Sequence, residues 1–184
     1  APTYILQSEI LNFAGEFSES YKISKRILEQ ETKSIKADHE IHARILTQLS
    51  RAELGILKYE DALNHIDRAI GIYTKNSFIN PSDMAVEHNT DLAAAFLVKG
   101  EIISEKGDKV KAMEFYALAE TIFYNRYRDN MFNLDIISYL YSKASESSCN
   151  FENPYWFNKF SNKLINKFGK THFRTQEMLS KCKK

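Results

Sequence analysis

Three pairs of small residues recur along this 184-residue chain, and the two members of each pair lie twelve positions apart. The pairs are Ser8 and Ser20, Ser50 and Ala62, and Gly100 and Ala112. In the last two pairs a large apolar residue follows after four positions and an alanine three later; these are Ile66 with Ala69, and Tyr116 with Ala119. The first pair repeats the pattern more weakly, with Ile27 in place of the alanine.

This spacing is typical of paired helices. Two antiparallel helices joined by a short turn approach most closely at one crossing point, where small side chains let the backbones meet. A large residue one helical turn later fills the groove beside the crossing. The chain has only 6 Gly and 3 Pro, too few for the many turns of a β-sandwich or barrel. The sequence therefore predicts an all-α chain of stacked, antiparallel helix pairs.

The expected organisation is one domain over residues 1–184. Helix pairs are predicted at about 3–34, 38–75 and 83–126, followed by a degenerate capping pair at 129–168 and a basic tail at 169–184. Gly107 is expected to end one helix and Asp108 to cap the next. The segment 80–83, Asn-Pro-Ser-Asp, is expected to form a loop. The residues after Lys170 are expected to form one more short helix or to fray.

The small and large positions resemble the tetratricopeptide repeat (TPR) family, whose consensus is Trp-x2-Leu-Gly-x2-Tyr followed by Ala-x3-Phe-x2-Ala. The matching residues are Ser50, Ala62, Ile66 and Ala69 in one repeat, and Gly100, Ala112, Tyr116 and Ala119 in the next. The repeats are 42 and 50 residues apart, longer than the ~34 of the family. The resemblance implies a right-handed superhelix, an α-solenoid whose first helices line a concave groove.

The resemblance also implies which side chains face that groove. Carried over position by position, they are Arg44, Thr47, Gln48, Arg51, Leu97, Glu101 and Glu105, with Glu9 and Asn12 in the first repeat. Arg44 and Arg51 lie seven positions apart on one helix face, with Gln48 between them. Two guanidinium groups and an amide could bind a carboxylate or a peptide backbone. The alternative is a solvated face with surface salt bridges. Replacing both arginines by alanine is expected to spare the fold and weaken binding.

The function that the resemblance implies is a protein- or peptide-binding scaffold with its ligand in the concave groove. The alternative is a sensor or regulatory TPR-like domain of a larger signalling or transcription regulator. The chain has no Gly-x-Ser-x-Gly motif and no glycine-rich phosphate loop, so we expect neither an enzyme nor a cofactor. His39 and His42 lie three positions apart and lack the zinc-protease arrangement, so no metal site is expected.

Charge is distributed unevenly around a net value of +1. Residues 153–184 carry +7, which leaves about −6 on the preceding segment. Lys159, Lys163 and Lys167 could form the exposed side of a packing helix, which is the favoured interpretation, or bind an acidic surface, a phosphate backbone or a membrane interface. A third option is that the basic region docks on the acidic body of the same chain. Nucleic acid is not an expected partner.

The C-terminal region carries further features that bear on partners and location. Tyr155, Trp156, Phe157 and Phe160 would, if exposed, permit a homodimer through the C-terminal helices. Cys149 and Cys182 fit no metal or redox spacing, and two free thiols are favoured over a single disulfide. No apolar run is long enough to span a membrane. We expect a cytoplasmic protein, with a periplasmic or secreted location left open.

Overall fold

The computed structural model describes residues 2–31, 39–79, 89–127 and 134–182, and all regular structure within these ranges is helical. The helices are α1 (Pro2–Ala14), α2 (Phe17–Glu31), α3 (Glu40–Gly55), α4 (Tyr59–Ile79), α5 (Thr90–Glu105), α6 (Lys109–Tyr127), α7 (Leu134–Ser148), α8 (Tyr155–Phe168) and α9 (Phe173–Lys181). The first two predicted pairs, the turn at 107–108 and the expected extra C-terminal helix all correspond to observed elements. The predicted loop at 80–83 and the predicted helix start at 83 lie outside the described residues.

The helices form two layers. Helices α1, α3, α5 and α7 pack side by side in an inner layer, and each packs against its partner in the outer layer, α2, α4, α6 or α8. The outer helices α2, α4 and α6 also pack against the inner helix of the next pair. The short helix α9 runs back across α7 and α8. The all-α prediction of stacked helix pairs is confirmed.

Two of the predicted crossings are joined by serine hydroxyls. The Oγ of Ser20 donates to the backbone oxygen of Ser8 at 3.0 Å, and the Oγ of Ser50 donates to the backbone oxygen of Ala62 at 2.9 Å. All four residues are buried. The twelve-residue spacing therefore does mark the points where the two helices of a pair meet.

The third crossing depends on the absence of a side chain. A β-carbon built on Gly100 would lie 2.8 Å from a ring carbon of Tyr116. Tyr116, Ala112 and Ala119 are all buried, so the ring has little freedom to withdraw. The large residue four positions after the crossing thus packs directly on the small residue of the partner helix, as the pattern predicted.

Salt bridges connect the fourth helix pair to outer helix α6 of the third. Glu120 of α6 is buried and accepts Nζ of Lys159 at 3.1 Å and Nζ of Lys163. Farther along, Nζ of Lys181 lies 3.0 Å from a carboxylate oxygen of Glu146. Three lysines of the basic region therefore pair with acidic residues of the same chain, in line with the third sequence-based option, while the exposed Lys163 and Lys167 agree with the favoured interpretation of a packing helix.

The preference for two free thiols is wrong, because Cys149 and Cys182 form a disulfide. Cys149 follows the last residue of α7, and Cys182 follows the last residue of α9. Helix α9 folds back onto α7, which brings the two Cα atoms to 5.6 Å across a separation of 33 residues. The 33-residue separation of the two cysteines did not indicate that α9 folds back onto α7.

The C-terminal aromatic residues are less exposed than their number suggested. Phe160 is fully buried and stacks on Trp156, with ring centroids 5.9 Å apart. Trp156 and Phe157 are half-buried, whereas Tyr155 is exposed. None of the helices in the described ranges has the length and apolar character to cross a membrane.

Candidate functional site

A groove of about 700 Å³ runs along the inner layer where its helices end in turns. It is lined by the turn ends of the first two pairs, by the third pair, and by α7 with α9. Its lining residues are Phe17, Leu54, Gly55, Leu57, Tyr59, Glu101, Ser104, Glu105, Gly107, Lys109, Tyr116, Tyr139, Lys143, Glu146, Ser147, Cys149, Asn150 and Lys181. A space of this size accommodates a short peptide segment or a drug-sized molecule.

The turn residue Leu57 at the edge of this groove has an unusual backbone. Its φ is +64°, and it is the only non-glycine residue with positive φ among those that the structure describes. The corresponding turn residues of the first and third pairs are Gly15 and Gly107, at +80° and +99°. A bulky residue seldom adopts this left-handed conformation, whereas glycine does so freely. The leucine side chain is also 70% exposed.

Two charged groups in the groove are not used by the fold. Within the described ranges, Glu105 and Lys109 make no salt bridge, and the carboxylate of Glu105 is exposed. By contrast, Glu146 binds both Lys143 and Lys181, at 3.5 and 3.0 Å. Glu105 and Lys109 are therefore the charges on which a ligand could act without first breaking an ion pair.

Arg51 and Glu101 form a buried ion pair beside the groove, with Nη2 and Oε1 3.2 Å apart. The second oxygen of Glu101 accepts the hydroxyl of Tyr139 at 3.1 Å. Burial is the largest influence and opposes the charge of Arg51, but Glu101, Tyr139 and Glu9 together outweigh it and raise the pKa of the guanidinium above its usual value. Burial, with Glu101 second, raises the pKa of Tyr139 far above its usual range, so the hydroxyl remains protonated and donates. Glu101 is thus fully engaged inside the protein.

Arg44, Gln48 and Arg51, which were predicted to bind a ligand together, each contact a different residue of the protein. Arg44 lies near the start of α3, with Nε 3.6 Å from Asp91. Asn12 donates through Nδ2 to the backbone oxygen and Oε1 of Gln48, at 3.0 and 3.1 Å. Because Arg51 is buried and paired, alanine there should destabilise the fold, which corrects our expectation that it would be spared.

Two other sequence-predicted groove residues lie in the interior. Leu97 is fully buried in the hydrophobic core. Thr47 is also buried, and its hydroxyl donates to the backbone oxygen of Ala43 at 2.9 Å. Of the seven predicted groove residues, Glu101 and Glu105 line the groove described above. The other five predicted groove residues do not line it; they are Arg44, Thr47, Gln48, Arg51 and Leu97.

Sequence reasoning missed Leu57, Tyr139 and Arg174. Leu57 had a signal, because it occupies the same turn position as Gly15 and Gly107 when the repeats are aligned. Tyr139 belongs to the fourth pair, where no small-residue spacing fixed the register. Arg174 reaches the inner layer only because α9 folds back, with its Cζ 4.7 Å from the ring centroid of Tyr139.

The two histidines of the Asp-His-Glu-x-His segment have structural roles. The Nδ1 of His39 accepts the backbone N–H of Ile41 at 3.2 Å and caps α3. His42 is buried, and burial, with Arg68 second, lowers its pKa. In the described part of the chain, no group of three or more His, Cys, Asp or Glu side chains is placed to hold a metal ion.

Solved structures with the same architecture exist. No protein-family model and no curated protein matches the sequence. Two crystal structures of kinesin light chain nearly identical TPR-like repeats from Podosopora anserina, the second of a single-residue variant, superpose with TM-scores of 0.68 and 0.67. Each is 10% identical in sequence, and the match covers 98% of this chain and 82% of the other. The fold of this chain is a TPR-like helical repeat.

Proposed function

We propose that this chain is a protein-interaction scaffold that binds a short peptide segment in the groove at the ends of its inner helices. The observation that carries the proposal is Leu57, an exposed leucine held in a left-handed turn at the groove edge. TPR-like folds commonly bind proteins, which supports the general class. The position of the site on this chain rests on the groove itself.

Leu57 is the expected apolar contact for the peptide. Its backbone conformation costs a residue with a β-carbon about 1–2 kcal/mol relative to a right-handed conformation. The side chain gains little inside the fold in return, since most of its surface is exposed. Strained residues at the edge of a cleft are often kept because their side chains serve binding. An apolar peptide side chain over Leu57 would bury that exposed surface.

Glu105 and Lys109 would set the charge of the preferred peptide. An unpaired carboxylate in the groove favours a lysine or arginine side chain, and an arginine can bind it with two parallel hydrogen bonds. Lys109 favours an acidic group close by. The expected ligand therefore combines an apolar residue, a basic residue and an acidic residue within a short extended segment.

The sensor alternative is supported by a contact between the first and fourth pairs. Phe13 of α1 packs edge-on against Tyr139 of α7, with ring centroids 6.2 Å apart. A ligand that separated these rings would open the curve of the inner layer. Such a ligand would act by shifting the balance between two shapes of the solenoid.

Three further proposals concern catalysis, assembly and location. We propose that the chain has no catalytic role and requires no cofactor, as is typical of TPR-like scaffolds. A homodimer through the C-terminal helices would use Tyr155 and Phe173, which are exposed there. A cytoplasmic location remains a prediction; the disulfide favours an oxidising compartment instead.

The groove can be tested with a peptide array followed by titration calorimetry. Peptides selected by the wild-type chain should contain a basic residue beside an apolar one, and Glu105→Gln should weaken their binding by roughly tenfold. Glu114→Gln is the matched control, because Glu114 is exposed on outer helix α6 away from the groove. Equal affinities for wild type, Glu105→Gln and Glu114→Gln would rule out this groove as the binding site.

A further inference from the structure

Helix α9 is attached covalently to the rest of the chain near both of its ends. At its start, residues 169–172 connect it to α8. Directly after its end, the disulfide between Cys182 and Cys149 holds it against α7. Between these two points the helix packs on α7 and α8, and its residue Lys181 lines the groove. The disulfide is therefore the bond that fixes the C-terminal end of α9 in place.

Helix α9 brings few apolar side chains to the core. Two of its nine residues are buried, Thr175 and Met178, and Leu179 is partly buried. Its largest apolar side chain, Phe173, is 60% exposed. Because the hydrophobic contribution to packing grows with the apolar area that is buried, this packing holds α9 less firmly than the long helices of the repeats.

Docking of α9 also buries polar atoms that have no hydrogen-bond partner in the described structure. They are Nδ1 of His172, Nε of Arg174 and Oγ1 of Thr175. A polar atom that loses its hydrogen bonds to water without gaining another partner opposes burial. The salt bridge of Lys181 with Glu146 adds little in return, because the lysine side chain is 46% exposed. Non-covalent contacts therefore hold α9 weakly.

The face of α7 that α9 covers keeps its hydrogen bonds without α9. Ser142 and Ser145 contact α9 on this face. The hydroxyl of Ser145 donates to the backbone oxygen of Tyr141 at 2.7 Å, and that of Ser142 donates to a carboxylate oxygen of Glu146 at 3.1 Å. Both acceptors belong to α7 itself. Departure of α9 would therefore leave these two hydroxyls paired, and water can hydrate the exposed face.

We propose that the Cys149–Cys182 disulfide is a site of reversible thiol–disulfide exchange, and that its reduction releases α9 from α7. Both cysteines are partly exposed and Cys149 lines the groove, so a thiol can reach the bond. A thiolate of a cellular dithiol attacks one cysteine sulfur and breaks the S–S bond, which gives a mixed disulfide and a cysteine thiolate. The second thiol of the dithiol then displaces the other cysteine. Two electrons and two protons pass from the dithiol to the cysteines, which leaves two cysteine thiols and an oxidised dithiol.

Release of α9 changes the groove and the inner layer. Lys181 leaves the groove wall together with its positive charge. Arg174 leaves the ring of Tyr139, above which its Cζ lies 4.7 Å from the centroid. Tyr139 is also the residue of α7 that contacts Phe13 of α1, so its loss of support loosens the contact between the first and fourth pairs. The inference does not rest on peptide binding, because release of α9 is measured on the chain alone.

Hydrogen exchange measured by mass spectrometry on the full chain, with and without dithiothreitol, tests the release. In the reduced chain the backbone amides of α9 should exchange at least about tenfold faster, while those of α3 to α6 keep their rates. Alkylation of the free thiols confirms that the bond is reduced. Removal of dithiothreitol and reoxidation should restore the original rates in α9.

A variant without the disulfide provides the control. Cys149→Ser with Cys182→Ser should exchange as the reduced chain does, and dithiothreitol should not change its rates. Equal protection of α9 in the oxidised and reduced chains would overturn the proposal. A bond that dithiothreitol does not reduce in the folded chain would also overturn it. So would loss of protection in all helices on reduction, because the disulfide would then stabilise the whole fold rather than the position of α9.

Discussion

The turn between α3 and α4 and the turn between α5 and α6 have the same hydrogen-bond pattern, but the residue with positive φ is leucine in the first and glycine in the second. In the first, the N–H of Leu57 donates to the oxygen of Leu54 at 3.1 Å. In the second, the N–H of Gly107 donates to the oxygen of Ser104 at 3.0 Å. Both residues have positive φ, and in both turns the next N–H reaches back five residues to close the helix end.

The leucine at one turn and the glycine at the other indicate that the fold and the proposed function favour different residues at this position. Glycine is the residue that this turn favours, and two of the three turns have it. Nothing in the packing accounts for leucine, because its side chain is mostly exposed. In our account Gly107 is present because it adopts the turn conformation easily. Leu57 adopts that conformation at a cost and is present because its side chain contacts the ligand. The following changes test that division.

The largest effect is expected at a glycine that provides space rather than backbone freedom. Gly100→Ala places a methyl group against the buried ring of Tyr116 and should lower the free energy of unfolding by about 1–3 kcal/mol. Gly71→Ala is the control, since a β-carbon there meets nothing within 4 Å. It should raise stability by about 0.5–1 kcal/mol, because alanine suits a helix interior better. Urea denaturation measures both, and equal effects would contradict the role assigned to the crossing.

The next effect isolates backbone strain. Gly107→Leu should lower the free energy of unfolding by about 1–2 kcal/mol, because a β-carbon is disfavoured at φ of +99°. The β-carbon itself adds no clash, since it meets nothing within 4 Å, and the position is exposed. Urea titration with an unchanged midpoint would show that this turn tolerates leucine and that Leu57 is not strained.

The reverse substitution should act in the opposite direction. Leu57→Gly relieves the left-handed strain, although glycine also loses more freedom on folding. The net change expected is a gain of up to about 1 kcal/mol in unfolding free energy. A clear loss of stability in thermal or urea denaturation would mean that the leucine side chain supports the fold, contrary to our account.

The smallest effect is expected for Leu57→Asn. Asparagine adopts left-handed conformations more readily than leucine, but less readily than glycine. The variant should therefore fall between wild type and Leu57→Gly, within about 0.5 kcal/mol of either. A stability outside that interval would indicate that solvation of the side chain, rather than its backbone, sets the difference.

Much of the fold could be predicted because the crossings obey a local rule. A small residue and its partner twelve positions later occupy the same point in space, so Ser50 with Ala62 and Gly100 with Ala112 reveal the pairs directly. The disulfide and the position of α9 could not be found in this way. They depend on the return of the chain across α7, which is set by contacts such as Lys181 with Glu146 rather than by a period.

The candidate site could be predicted only in part. The family positions gave Glu105, which lies in the groove with a free carboxylate. The same family positions predicted that Leu97 would also face the groove, but Leu97 is buried between the closely packed inner helices. Aligning the turns would have identified Leu57, because it is the one of three equivalent positions without glycine.

The most direct test of the central claim is the affinity of Leu57→Gly for a peptide selected by the wild-type chain. Calorimetry should show binding weakened by roughly tenfold, while the stability of the variant is equal to or above that of wild type. Such a result would separate the function of Leu57 from its role in the fold. Unchanged affinity in the folded variant would contradict the claim that the strained leucine is retained for binding.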